Sequence, residues 1–129
     1  MTRVVHFDVP IDDPERAGTF YREAFGFHVE KWGPAAYWTL STGEEPGPGA
    51  EGAMAPRDEV REGVLVYFGV DDIDAAMARV KDAGGTLVGD KAPIPAIGWS
   101  ARVRDSEGNL VGLFQPDATV AGPDGGAGA

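Results

Sequence analysis

Residues 98–116 read GWSARVRDSEGNLVGLFQP. The stretch has the pattern of a β-hairpin: residues 99–104 outward, 105–109 as the turn, 110–115 as the return. Asp, Ser, Gly and Asn in the turn tolerate the tight or left-handed backbone angles that a short loop needs. The hairpin closes a unit that the chain contains twice. In the earlier copy, residues 37–40 lead through a Gly/Pro-rich loop into residues 52–57. GAMAP at 52–56 then lies over GLFQP at 112–116, each a glycine, an apolar residue two later and a proline two after that.

Working outward, residues 4–9 (Val-Val-His-Phe-Asp-Val) predict a strand. Asp13-Pro14-Glu15 predicts a helix start, with Asp13 as N-cap and Pro14 at the first helical position. Ala17, Phe20, Tyr21, Ala24 and Phe25 recur at helical spacing on one face, and Gly26 ends the helix. Strands follow at 27–32, 35–41 and 51–57, with a loop rich in Glu, Gly and Pro at 42–50. The charged residues 57–63 read as a linker. The order then repeats. Residues 64–70 are a strand, and Asp71-Asp72 caps a helix that faces inward through Ile73, Ala76, Met77 and Val80. Gly84-Gly85 stops this helix, 86–89 is a short strand and 91–98 a loop. Residues 117–129 have no periodicity and read as a flexible tail.

Asp13 matches Asp72 and Gly26 matches Gly85, 59 residues apart, while Gly52 matches Gly112, 60 apart. On that register His6 falls on Leu65. One such unit cannot bury both faces of its sheet, so two should share a core. The expected domain is residues 1–116, with modules at about 1–57 and 63–116.

Composition removes several classes of function. A net charge of −10 argues against nucleic acid and anionic membrane as partners. The chain has no cysteine, so disulfides and thiol catalysis are out. No apolar run reaches membrane-spanning length and no signal pattern opens the chain, so a cytoplasmic protein is expected.

The two modules, with VVHFDVP-x-DDPERA-x-x-FY-x-x-AFGF, VYFGVDDIDAA and the closing GWSARVRDSEGNLVGLFQP, resemble the vicinal oxygen chelate superfamily of glyoxalase I, bleomycin-resistance proteins and extradiol dioxygenases. The resemblance implies an α+β fold: two βαβββ modules in a cupped, mostly antiparallel eight-stranded sheet with helices outside. It also implies a homodimer, and a divalent ion held from the first and last strands of each module. Mapped here, those four positions are His6, Gly52, Leu65 and Gly112. Only His6 has a donor, and a catalytic ion needs about three protein ligands, so no metal and no cofactor are expected. Glu51, next to Gly52, should point away from the cup, since neighbouring strand residues alternate. Asp8 shares the face of His6.

His6 is the best catalytic candidate, as hydrogen-bond partner or general base. The alternative is an inert relic of a metal site. His28 reads as solvent-facing. The expected ligand-binding set is His6, Asp8, Trp38, Gly52, Met54, Leu65, Tyr67, Trp99, Gly112 and Phe114. Glycine at 52 and 112 would leave room for an apolar or flat ligand, although the same side chains could be plain core. The leading function is metal-free binding of a small apolar or aromatic molecule. The competing ones are a divergent lyase, isomerase or dioxygenase using His6, and a non-catalytic interaction subunit.

Overall fold

The computed structural model describes residues 2–42, 49–58 and 63–121. Its elements are β1 (Arg3–Ile11), α1 (Pro14–Phe25), β2 (His28–Lys31), β3 (Trp38–Ser41), β4 (Glu51–Pro56), β5 (Leu65–Gly69), α2 (Ile73–Asp82), β6 (Thr86–Ile94), β7 (Gly98–Arg104) and β8 (Leu110–Pro116). The βαβββ order occurs twice, and the class is α+β as expected. The described residues fall into two compact units, 5–66 and 67–121 with 2–4. The loop expected at 42–50 and the linker at 57–63 fall mostly outside the described residues, as does 122–129 of the tail.

In the first unit the strand order is β2-β3-β4-β1. β1 runs parallel to β4, and the other pairs are antiparallel. The Asp13 carboxylate accepts from the backbone N–H groups of Glu15 and Arg16, a cap worth about 1 kcal/mol. Gly26 closes α1 at φ 72°, which a residue with a Cβ adopts only with strain. Phe7 lies opposite Gly52 and Val9 opposite Met54. Leu40 also lies opposite Gly52, and Trp38 opposite Met54. Residues directly opposite one another point to the same side. Val9, Ile11, Leu40 and Met54 therefore form one core, against which Phe7, Trp38 and, from α1, Ala17 and Tyr21 pack.

The second unit repeats this as β5-β8-β7-β6, with β5 parallel to β8. Val70, Ile73, Ala76, Ala101, Val103 and Leu113 are its buried core, with Phe68, Met77, Val80 and Trp99 packed against them. The inward face expected for α2 is the one observed.

Four details differ from expectation. Phe20 and Phe25 of α1 are 54% and 61% exposed; only Ala17 and Tyr21 of the expected stripe reach the core. β6 continues to Ile94 through the predicted loop, because an irregularity between Val88 and Ala92 lets the strand resume beside β7. Gly89, at φ 77°, sits in that irregularity. The segment after β8 is docked, not loose, at its start. Val120 is buried, its carbonyl accepts from Ala96 N–H, and Asp117 N–H donates to Ile97.

The fourth difference is the register of the repeat. His6 is paired with Glu51 and Tyr67 with Gly112, the same separation in both units. Strand residues therefore correspond 61 apart: Phe7 to Phe68, Trp38 to Trp99, Gly52 to Leu113. The helix N-caps, Asp13 and Asp72, remain 59 apart, whereas the C-caps are Gly26 and Ala83, so the expected match of Gly26 with Gly85 does not hold. Two extra residues between β1 and α1 account for the difference: Val9 precedes its cap by four positions, Val70 by two.

Candidate functional site

The register decides which predicted residues can meet. On β1, Phe7, Val9 and Ile11 point toward α1, so His6 and Asp8 point to the opposite side. Gly52, Met54 and Trp38 lie on the α1 side, in the core. They do not share a face with His6, contrary to expectation. Glu51 does share it, since it sits directly opposite His6 in the parallel ladder. The expectation that Glu51 points away from His6 is thus also corrected. Its cause was a repeat aligned one residue out of step.

In the second unit, Tyr67, Gly112 and Phe114 share the side of their strands that faces away from α2. Leu65, two residues before Tyr67 on β5, is on that side and 1% exposed. Trp99 is on the other side, packed on the α2 core, with the Lys91 ammonium 4.5 Å above its ring. The structural equivalents of the four expected ligand positions are therefore His6, Glu51, Tyr67 and Gly112.

His6 is the centre of a hydrogen-bonded chain. Its Nε2 is 2.8 Å from Asp8 Oδ1 and 3.2 Å from the Tyr37 hydroxyl. Asp8 is the buried polar residue of this strand, 3% exposed. An ionised carboxylate only accepts, so Nε2 carries the proton and donates to Asp8. The Tyr37 oxygen sits beside the same N–H as a second acceptor. In the neutral ring the lone pair is then on Nδ1. The His6 side chain keeps 28% of its surface in solvent.

Tyr37 was not among the predicted residues. It immediately precedes β3, so it points opposite to Trp38 and toward His6. Trp32 belongs with it: the two rings meet edge-on at 5.7 Å, and Trp32 N–H donates to the Tyr37 carbonyl across the turn. Trp32 is 45% exposed. Once Trp38 is known to face α1, alternation alone places Tyr37 on the His6 side. His28 is exposed on β2, as expected.

The donors do not suit a catalytic divalent ion. His6, Asp8 and Glu51 share a face, but Nε2 is committed to Asp8, and Glu51 Oε2 accepts from Thr42 N–H at 2.8 Å. Among the described residues, no three His, Cys, Asp or Glu side chains are grouped to hold an ion. A separate cleft of about 180 Å³ in the second unit, lined by Thr2, Gly69, Val70, Asp71, Asp72 and Arg79, holds none of the predicted residues. Among the described residues, no helix is long and apolar enough to cross a membrane.

Residues 3–113 match the family model of the glyoxalase/bleomycin resistance protein/dioxygenase superfamily. The chain belongs to that superfamily. It is 32% identical over 108 residues to a Mycobacterium tuberculosis protein named glyoxylase CFP32, covering 81% of this chain and 41% of the relative. The chain thus spans about two-fifths of that relative's length. A glyoxylase-like domain-containing protein of Didymella fabae is 30% identical over 108 residues, covering 79% of this chain and 84% of that protein. Among solved structures, methylmalonyl-CoA epimerase from M. tuberculosis superposes with a TM-score of 0.64 at 22% identity, over 88% of this chain and 87% of the epimerase. A superfamily member from Vibrio splendidus gives 0.63 at 19% identity, over 91% of this chain and all of that one. These two likenesses concern the fold.

Proposed function

We propose that this superfamily member binds a small apolar or aromatic molecule, without a metal, on the His6 face of the first unit. The observation that carries the reading is the Tyr37–His6–Asp8 chain, a polar anchor on a part-exposed imidazole, with the half-open ring of Trp32 edge-on to Tyr37. Binding sites for small molecules combine aromatic walls with a few oriented polar groups in this way. The role is that of a sequestering protein of the cytoplasm. The test is a titration of small aromatic carboxylates, phenols and polycyclic drugs, followed by tryptophan fluorescence and calorimetry. At least one compound should bind one per chain, and His6→Ala or Tyr37→Phe should weaken it tenfold or more. Binding that ignores both substitutions, or no binder at all, refutes the reading.

A second reading is acid–base catalysis at His6. The orientation of the ring by a buried carboxylate favours it, because that arrangement fixes which nitrogen takes a proton. The likeness to proteins named as glyoxylases supports it as well. Turnover abolished by His6→Ala and reduced by Asp8→Asn would distinguish an enzyme from a binder.

A further inference from the structure

The second unit has a charged side chain that the His6 reading leaves unused. On β7, Trp99, Ala101 and Val103 pack on the α2 core, so Ser100 and Arg102 point to the other side. Arg102 is paired with Gly112 on β8, and Gly112 with Tyr67 on β5. The three residues form one row across the strands, on the side away from α2. Phe114, two residues along from Gly112, shares that side opposite Ser100. Arg102, Tyr67 and Phe114 are all half-buried.

Gly112 sets how this row is filled. A Cβ there would fall on the Tyr67 ring, so the ring lies across β8 in the direction of β7, the strand that carries Arg102. An arginine at 102 is not a demand of the fold. The corresponding residues of the first unit, 61 earlier, are His6, Glu51 and Ser41, and a serine fills the place of the arginine there. Among the described residues, no paired position on this side of β5, β8 and β7 is an aspartate or glutamate. The row is therefore cationic and aromatic in a chain whose net charge is −10. Arg104, the next residue of β7 on this side, donates to the Gly108 carbonyl in the turn, so Arg102 is the charge placed among the rings.

We infer that this side of the second unit binds a small flat organic acid, its carboxylate on the Arg102 guanidinium and its ring against Tyr67 and Phe114. A guanidinium holds its charge throughout the physiological range and presents paired N–H donors in one plane, which match the two oxygens of a carboxylate. Half-buried aromatic rings supply the apolar wall that such a ligand needs. Arg102 thus determines specificity: it selects the acid over a neutral molecule of the same shape. The inference does not rest on the His6 site, which belongs to the first unit.

Calorimetry and NMR with benzoate, salicylate and 1-naphthoate test it, each compared with its own carboxamide. At least one acid should bind one per chain, at least tenfold tighter than its amide, and should shift the Arg102 Nε–H and Gly112 N–H resonances. Arg102→Gln should erase the preference for acid over amide. Arg102→Lys, which keeps the charge without the paired donors, should leave an intermediate preference. Melting reports whether each variant is folded, and the acid–amide comparison and the shifts on the wild type stand without the variants. The inference is overturned if none of the acids binds, or if acid and amide bind alike. It is overturned too if a folded Arg102→Gln keeps the preference. Binding lost in His6→Ala but untouched by Arg102→Gln would place the acid at His6, against this inference and in favour of the other reading.

Discussion

Gly52 and Gly112 occupy positions that look alike in the sequence and behave alike locally, yet they face opposite ways. At each, an aromatic ring lies where a side chain would go: Phe7 over Gly52, Tyr67 over Gly112. Gly52 and Phe7 are on the side of the first unit that packs on α1. Gly112 and Tyr67 are on the side of the second unit that faces away from α2. The same device, a ring resting on a glycine, lies on the helix-backed core side in one half and on the side turned away from the helix in the other. A slip of one residue in a strand exchanges its two faces. The shared Gly-x-apolar-x-Pro pattern is such a slip, since Glu51 is the residue equivalent to Gly112.

Substitution at the two glycines should separate the halves. Gly52→Leu is expected to have the largest effect, destabilising by about 3 kcal/mol or more, because Phe7 would be driven into the layer between β1 and α1. For alanine, Gly52→Ala should cost about 2 kcal/mol and Gly112→Ala about 1 kcal/mol, because Tyr67 lies outside the helix-backed core. Urea denaturation measures both. Equal losses, or a greater loss at Gly112, would break the assignment of faces.

The halves also differ at their ends. Residues 117–121 lie against the second unit through Val120 and the Ala96–Val120 hydrogen bond. Truncation after Pro116 should therefore cost about 1–2 kcal/mol, the worth of a buried valine. Truncation after Ala121 should leave the melting temperature within error. A harmless cut after Pro116 would show that Val120 contributes nothing.

The smallest expected contrast is in acid. Asp105 accepts from the Asn109 side chain and from the Asn109 and Glu107 backbone N–H groups, which holds its carboxyl below the usual carboxylate value. Its folded value is depressed, so its contribution is present above the unfolded carboxylate pKa and is lost as pH falls through the folded one. Asp105→Asn should therefore flatten the decline of stability on the acid side, a change read from denaturation midpoints taken from neutral pH downward. An unchanged slope would remove Asp105 from the account.

Much of the fold was legible because its signals are local. The caps at Asp13 and Asp72, Gly26, and the 105–109 turn each act through neighbours in sequence, and each was found where expected. The facing of β4 was not legible, because it depends on pairing with β1, some 45 residues away, and on the two extra residues before α1. The helix N-caps carry the repeat at one offset and strands at another, so an alignment anchored on the N-caps misplaces the strands. From that error came the pairing of Gly52 with the His6 face and the dismissal of Glu51. Trp38 belongs to the expected ligand-binding set, while Tyr37, one residue earlier, is the ring that reaches His6. Phe20 and Phe25 matched the helical period but missed the core, because periodicity does not say how far a sheet extends beneath a helix.

Nitrogen-resolved NMR of the two histidines reads directly whether Asp8 holds the His6 ring through Nε2, beside Tyr37. In the neutral imidazole of His6 the proton is expected on Nε2, with Nδ1 unprotonated. The exposed His28 in the same spectrum serves as the unrestrained reference. Asp8→Asn should weaken that preference, and Tyr37→Phe should shift the Nε2 resonance. A His6 that matches His28 in both nitrogens, or that carries its proton on Nδ1, would mean that Asp8 does not hold the ring through Nε2.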